Sequence, residues 1–274
     1  MTNAQTLPRR TGNVLTQRPE IALSILLFVF LIGGWELIVG LFSIPSIIVP
    51  PPSAIAKALW ANLSTPRFYG HVGVTLWEII AGFVIGAVIG LVVGVAVGQW
   101  KLVEKTIYPY VVAFQTVPKV AIAPLIVIWF GYGIASKIVI TALIAFFPVV
   151  VNCIAGMNAA SHLQIEMLRS FTATRWQIFR MVKLQSSLPF IFAGLDVAIV
   201  LAVIGAIVGE FIGAQAGLGF LLLQRNFSMD TAGSFAILIV LSAIGMILHQ
   251  LMASIRKRVV FWTEREATLA SETT

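Results

Sequence analysis

Charge is what this 274-residue chain has little of: Asp, Glu, Lys and Arg make up 11% of it, against 59% hydrophobic residues and a mean hydropathy of +0.97. Soluble domains carry charge on about a quarter of their residues, so the composition is that of an integral membrane protein. Cysteine is nearly absent. Cys153 stands alone in an apolar run, which rules out an intrachain disulfide and leaves a small buried hydrophobe. His71, His162 and His249 are scattered without partners at ligand spacing, so no metal site is expected. No lysine follows a glycine anywhere, which excludes the Gly-x-x-x-x-Gly-Lys phosphate loop, and no nucleophile stands beside a base. With no cofactor expected in this chain and no catalytic constellation, the sequence reads as a conduit.

The net charge of +7 does not imply nucleic acid, because the basic residues sit at the ends of apolar runs and in one polar segment, with no soluble basic stripe interleaved with aromatics. Apolar runs predict about six membrane helices near residues 21–41, 72–97, 107–130, 136–155, 188–212 and 234–255. The first is too long for the apolar core of a cleavable signal. Residues 43–70 form an external connection in which Ser53, after three prolines, is expected to cap a short interfacial helix. With the N-terminus inside, thirteen of the eighteen Lys and Arg residues fall on inner segments, including Arg9, Arg10, Arg18, Lys101, Lys105 and Arg256–Lys257–Arg258; Lys57, Arg67, Lys137 and Arg225 fall outside, and Lys119 within a span. That asymmetry orients the chain with both termini cytoplasmic.

Small residues repeat where helices must approach closely. Gly82, Gly86, Gly90, Gly94 and Gly98 recur at four-residue spacing on one helical face, and Gly205, Gly209 and Gly213 form a second stripe. The third span contains Pro109, Pro118 and Pro124 and cannot be a straight helix. Broken backbone at membrane depth is tolerated only where protein buries it or a wet cavity satisfies it, so this segment is expected beside a translocation path, with Gln115, Pro118 and Lys119 as lining candidates. A membrane lysine must snorkel, pair with an acid or face a cavity. Glu78, Asp196 and Glu210 are further path candidates, and Glu78 and Asp196 tilt the expected solute slightly toward a neutral or cationic one.

Between the fourth and fifth spans lies a polar island, residues 164–189, with Arg169, Arg175, Arg180 and Lys183 among Phe171, Trp176 and Phe179. It reads as two short helices joined by a turn near Thr172, the second capped by Thr174, and as the place where a soluble partner docks.

Glu166-Met167-Leu168 and Leu188-Pro189 in the island, the run Gln115-x-x-Pro118-x-x-Ala121-x-x-Pro124, and Trp129-Phe130-Gly131-Tyr132-Gly133 together resemble the membrane (permease) subunits of bacterial ABC importers, in the nitrate, sulfonate, taurine and pyrimidine-precursor branch. Thr172 stands where the family has Gly, and Gln185 where it has an earlier Pro; Thr does not tolerate positive φ as Gly does, so the turn geometry is not carried over. The resemblance covers residues 65–260 and implies an all-α type I importer permease fold in the bacterial inner membrane. It divides the chain into a cytoplasmic tail (1–20), a first helix with an external segment (21–64), the transporter domain with a coupling loop at 160–187, and a C-terminal tail (261–274). It implies a second copy of the chain, two cytoplasmic ATP-binding subunits that hold ATP and Mg, and an extracytoplasmic solute-binding protein. Glu166, Met167, Leu168, Arg169, Phe171, Thr172, Arg175, Trp176 and Pro189 are the residues it implies for coupling. An ion-coupled secondary transporter working through intramembrane carboxylates is the alternative; no internal repeat supports it.

Overall fold

The computed structural model describes residues 19–262, and the two polar tails lie outside them. All regular structure among these residues is helical: α1 Pro19–Leu41, α2 Pro52–Leu63, α3 Pro66–Gln99, α4 Lys101–Thr116, α5 Lys119–Phe130, α6 Ile134–Asn158, α7 His162–Ser170, α8 Arg175–Phe211, α9 Leu218–Phe227 and α10 Thr231–Val259. Five helices (α1, α3, α6, α8 and α10) are long and apolar enough to cross a membrane, and α4 with α5, bent by 90° at their junction, bring the number to six when the pair is counted as one broken span. The basic residues at the start of α4, in the island and at Arg256–Arg258 gather at one end of the bundle; α2, α9 and the 131–133 turn lie at the other.

The core is a three-helix seam of α3, α6 and α8, filled by small residues: Ala87, Ala145, Ala198, Ala202 and Ala206 are buried with Ile79 and Val149. Lipid is as apolar as Leu, so helices in a membrane gain by close packing between backbones. The α3 glycines serve that end. A Cβ on Gly86 would lie 2.5 Å from the Ala142 carbonyl oxygen, on Gly94 2.6 Å from Cys153 Cβ, and on Gly90 3.0 Å from the Phe146 oxygen. Gly82 has the same relation to Thr141, while Gly205 and Gly209 of α8 press on Thr141 and Lys137 of α6. Thus α6 is gripped between two glycine faces. By contrast α1 buries only 6% of its apolar stretch and touches the body through its last turns.

Three expectations shift. The helix expected to start at residue 188 starts at Arg175, because Thr174 and Gln177 form a reciprocal capping box there and the chain then runs through a π turn, Phe179–Lys183, into the membrane. Ser53 does not cap α2: Pro51 is the cap residue and Pro52 opens the helix, while Glu36 of α1 accepts the Ser53 backbone N–H (3.0 Å) and hydroxyl (2.7 Å). The connection between the spans predicted at 188–212 and 234–255 contains a helix, α9, whose Leu218 and Leu222 pack against Phe68, Ile237 and Leu241.

Candidate functional site

At the basic end, α7 buries none of its side chains. Its last turn closes by two hydrogen bonds, Thr172 N–H to the Arg169 oxygen (2.9 Å) and Ala173 N–H to the Leu168 oxygen (3.0 Å). This is a Schellman closure, and it puts Thr172 at φ +59°, the left-handed position usually taken by Gly. The turn therefore keeps the geometry a glycine would give, at the expense of strain in a β-branched residue. Leu163, Met167, Phe171 and Trp176 are each more than half exposed here, beside Arg169 and Arg175. Trp176 stacks at 5.4 Å on Phe179 and, with Gln177, Arg180, Met181 and Gln185, lines a recess. Glu166 faces His162 at 3.2 Å on the α7 surface, a contact between residues the sequence left unpaired. Leu168 is half-buried, and Pro189 lies inside α8 and off the exposed surface.

At mid-depth, the junction of α4 and α5 exposes Gln115 and Pro118. The Lys119 ammonium donates to the Gln115 carbonyl (2.7 Å) and sits 4.7 Å over the Phe147 ring.

At the far end the chain builds a polar clasp from segments distant in sequence. Glu210 of α8 accepts from the Thr75 hydroxyl (2.6 Å) with one oxygen and from the Gly219 and Phe220 N–H groups (2.5 and 3.1 Å) with the other. Thr75 accepts from Leu218 N–H (2.7 Å), and His71 Nδ1 from Gly217 N–H (3.0 Å). The orphan N–H groups at the start of α9 are thus satisfied by side chains of α3 and α8. Glu78 meets Glu210 in the same cluster, and both are 1% exposed. Lys137, placed outside by the sequence, is 2% exposed and donates to the Tyr132 and Gly213 carbonyls. Gly217, at φ +117°, has no room for a Cβ because the Glu210 carboxylate occupies that space. Asp196 is likewise withdrawn, paired with Arg256 of α10 at 2.5 Å. None of these acids offers a free face to a passing solute. Glycine spacing around 217–219 was the signal present in the sequence; the partners come from far away in the chain.

An α-helical bundle with a span broken at mid-depth and an exposed basic-aromatic hairpin at one end defines a membrane transport subunit. Residues 82–261 match the family described as "Binding-protein-dependent transport system inner membrane component". The chain is 37% identical to the riboflavin transport system permease protein RibX of Chloroflexus aurantiacus, covering 89% of this chain and 91% of that one. It is 32% identical to the formylaminopyrimidine transport permease protein ThiX of Halalkalibacterium halodurans (88% and 96%), and 27% identical to the putative aliphatic sulfonates transport permease protein SsuC of Bacillus subtilis (95% and 94%). Its fold matches that seen in the inward-facing MetNI methionine ABC transporter with a TM-score of 0.61, over 70% of this chain and 95% of that one, at 22% identity. The chain belongs to the binding-protein-dependent transport system inner membrane component family, and is an ABC importer permease.

Proposed function

We propose that two copies of this chain form the translocation path of an inner-membrane importer, each seating its residue 162–181 hairpin in a groove of a cytoplasmic ATPase subunit, with a solute-binding protein delivering from outside. The carrying observation is the hairpin itself: Met167, Phe171 and Trp176 stand exposed among Arg169 and Arg175 on a closed, strained turn. Large apolar side chains beside guanidinium groups are the usual anchors of an interface. A short rigid hairpin fused directly to α8 transmits rigid-body motion into the membrane helix, since packed elements move between discrete arrangements. ATP and Mg belong to the partner, and this chain contributes no catalysis. The basic end is then cytoplasmic, with both termini on that side.

For the solute, the names borne by the 37% and 32% relatives favour a small heteroaromatic compound of the flavin or pyrimidine-precursor kind, ahead of a sulfonate. Purification of the chain from its native membrane in mild detergent tests both parts. Recovery of an ATPase and a solute-binding protein, whose bound ligand is then read by mass spectrometry, is expected; a chain that comes out alone and transports in vesicles without ATP overturns the reading.

A further inference from the structure

Each described acid in the spans already has a partner. Asp196 is paired with Arg256, Glu36 is engaged at the start of α2, and Glu78 and Glu210 share the clasp near Lys137. Lys137 of α6 is buried beside that acidic pair, whereas Lys119 has no acid next to it. Lys119 takes part in none of the ion pairs among the described residues; its ammonium has a carbonyl oxygen and an aromatic face for company.

Its depth follows from its neighbour. Phe147 lies midway along the 25-residue α6, a helix about 37 Å long at 1.5 Å per residue. The ammonium over that ring is therefore near the centre of a hydrocarbon layer whose half-thickness, about 15 Å, exceeds the reach of a lysine side chain. Snorkelling is closed to it. A lysine facing lipid at this depth costs about 2.5–3.5 kcal/mol on insertion scales. The remaining described acids, Glu104, Glu166 and Asp230, contact Asn158, His162 and Arg225, so a second copy brings no idle carboxylate from its described residues. What remains is a wet path, and the 90° break between α4 and α5 at residues 117–118 supplies the irregular backbone that such a path accommodates.

We propose that Lys119 is the charge-selecting residue of the path: it favours solutes presenting an anionic or strongly electron-rich oxygen and turns away cations. Imide-type ring carbonyls and sulfonate oxygens share that chemistry. The partly exposed Lys119, already steadied by the Gln115 carbonyl and Phe147, is positioned to donate a further N–H to such an oxygen. The proposal rests on the importer reading for the identity of the path, but its test does not.

The test uses the full chain in native membranes, with Gln115→Cys on a Cys153→Ala background and two thiol probes, anionic methanethiosulfonate ethylsulfonate and cationic methanethiosulfonate ethyltrimethylammonium. Rates are normalised to those with a small free thiol. The expected result is modification at residue 115 with a several-fold preference for the anionic probe, lost in Lys119→Gln and kept in Lys119→Arg. No modification by either probe, a preference for the cation, or a preference that survives Lys119→Gln overturns the proposal. Recovery of the ATPase with the chain is read separately, so failure of the importer reading is distinguishable. Once a binding protein and its ligand are in hand, competition by a sulfonate or by a pyrimidine separates the two sources of oxygen.

Discussion

The Glu210 carboxylate takes the two N–H groups of Gly219 and Phe220 that α9 cannot satisfy itself, joining the end of α8 to the start of a helix on the far surface. Removing it strands those donors and the Thr75 hydroxyl in a site that is 1% exposed. Each orphaned buried donor costs about 1–3 kcal/mol, so Glu210→Ala is expected to lower the thermal unfolding midpoint in detergent and to speed amide exchange at Gly219 and Phe220. Glu210→Gln, which keeps an acceptor oxygen, falls between. Exchange at those amides unchanged in Glu210→Ala would show that the clasp does not hold α9.

The α3–α6 seam makes a paired prediction. Gly86→Ala forces a methyl toward the Ala142 oxygen and is expected to cost about 1–3 kcal/mol of stability by overpacking. Gly73→Ala, on the same helix with open space around it, is expected to be neutral or slightly stabilising. Equal melting temperatures for the two variants would refute the close approach.

Thr172 offers a substitution that should help. Left-handed backbone in a residue with a Cβ costs roughly 1–2 kcal/mol, and Thr172→Gly removes that cost while leaving the Schellman bonds of Arg169 and Leu168 in place. Protease resistance of the 162–181 hairpin is expected to rise, with ATPase recovery unchanged. A more labile hairpin would mean that the Thr side chain holds the turn by some other means.

At the hairpin surface, Trp176→Ala and Phe171→Ala are expected to weaken ATPase capture about tenfold or more, as loss of an aromatic anchor does at other interfaces, without shifting the melting temperature of the chain alone, because neither side chain is buried. Capture at wild-type affinity by the double variant would move the docking site elsewhere.

Asp196 and Arg256 form a cycle of their own. Arg256→Gln leaves the buried Asp196 carboxylate without its counter-ion and is expected to destabilise, whereas Arg256→Gln with Asp196→Asn recovers part of the loss, since the cost lies in the unpaired buried charge. Additive losses in the double variant would show the pair to be uncoupled.

Local chemistry made much of this legible in sequence. Pro118 after Gln115-Thr116-Val117 marked the break that appears as the 90° bend, and Thr174 with Gln177 three residues later marked a helix start. Hydropathy misled at the same place: Arg180 and Lys183 suggested that the second short helix was separate from the span beginning at residue 188, yet the chain stays helical through them by way of a π turn, because a helix end is set by its cap and not by polarity. Glycines at 82–98 announced a smooth face, but their spacing does not say which helix fills it. The clasp was out of reach for a plainer reason. Thr75 and Glu210 are separated by 135 positions, and nothing local to either one names the other.

The two far-surface helices begin with borrowed caps, α2 from Glu36 of α1 and α9 from Glu210, Thr75 and His71. Neither supplies its own, so neither starts its first turn well until the lending helix stands beside it. The first turn of each surface helix is therefore only as secure as the membrane helix that lends its cap, so a shift of α1 or α8 is felt on the far surface at α2 or α9.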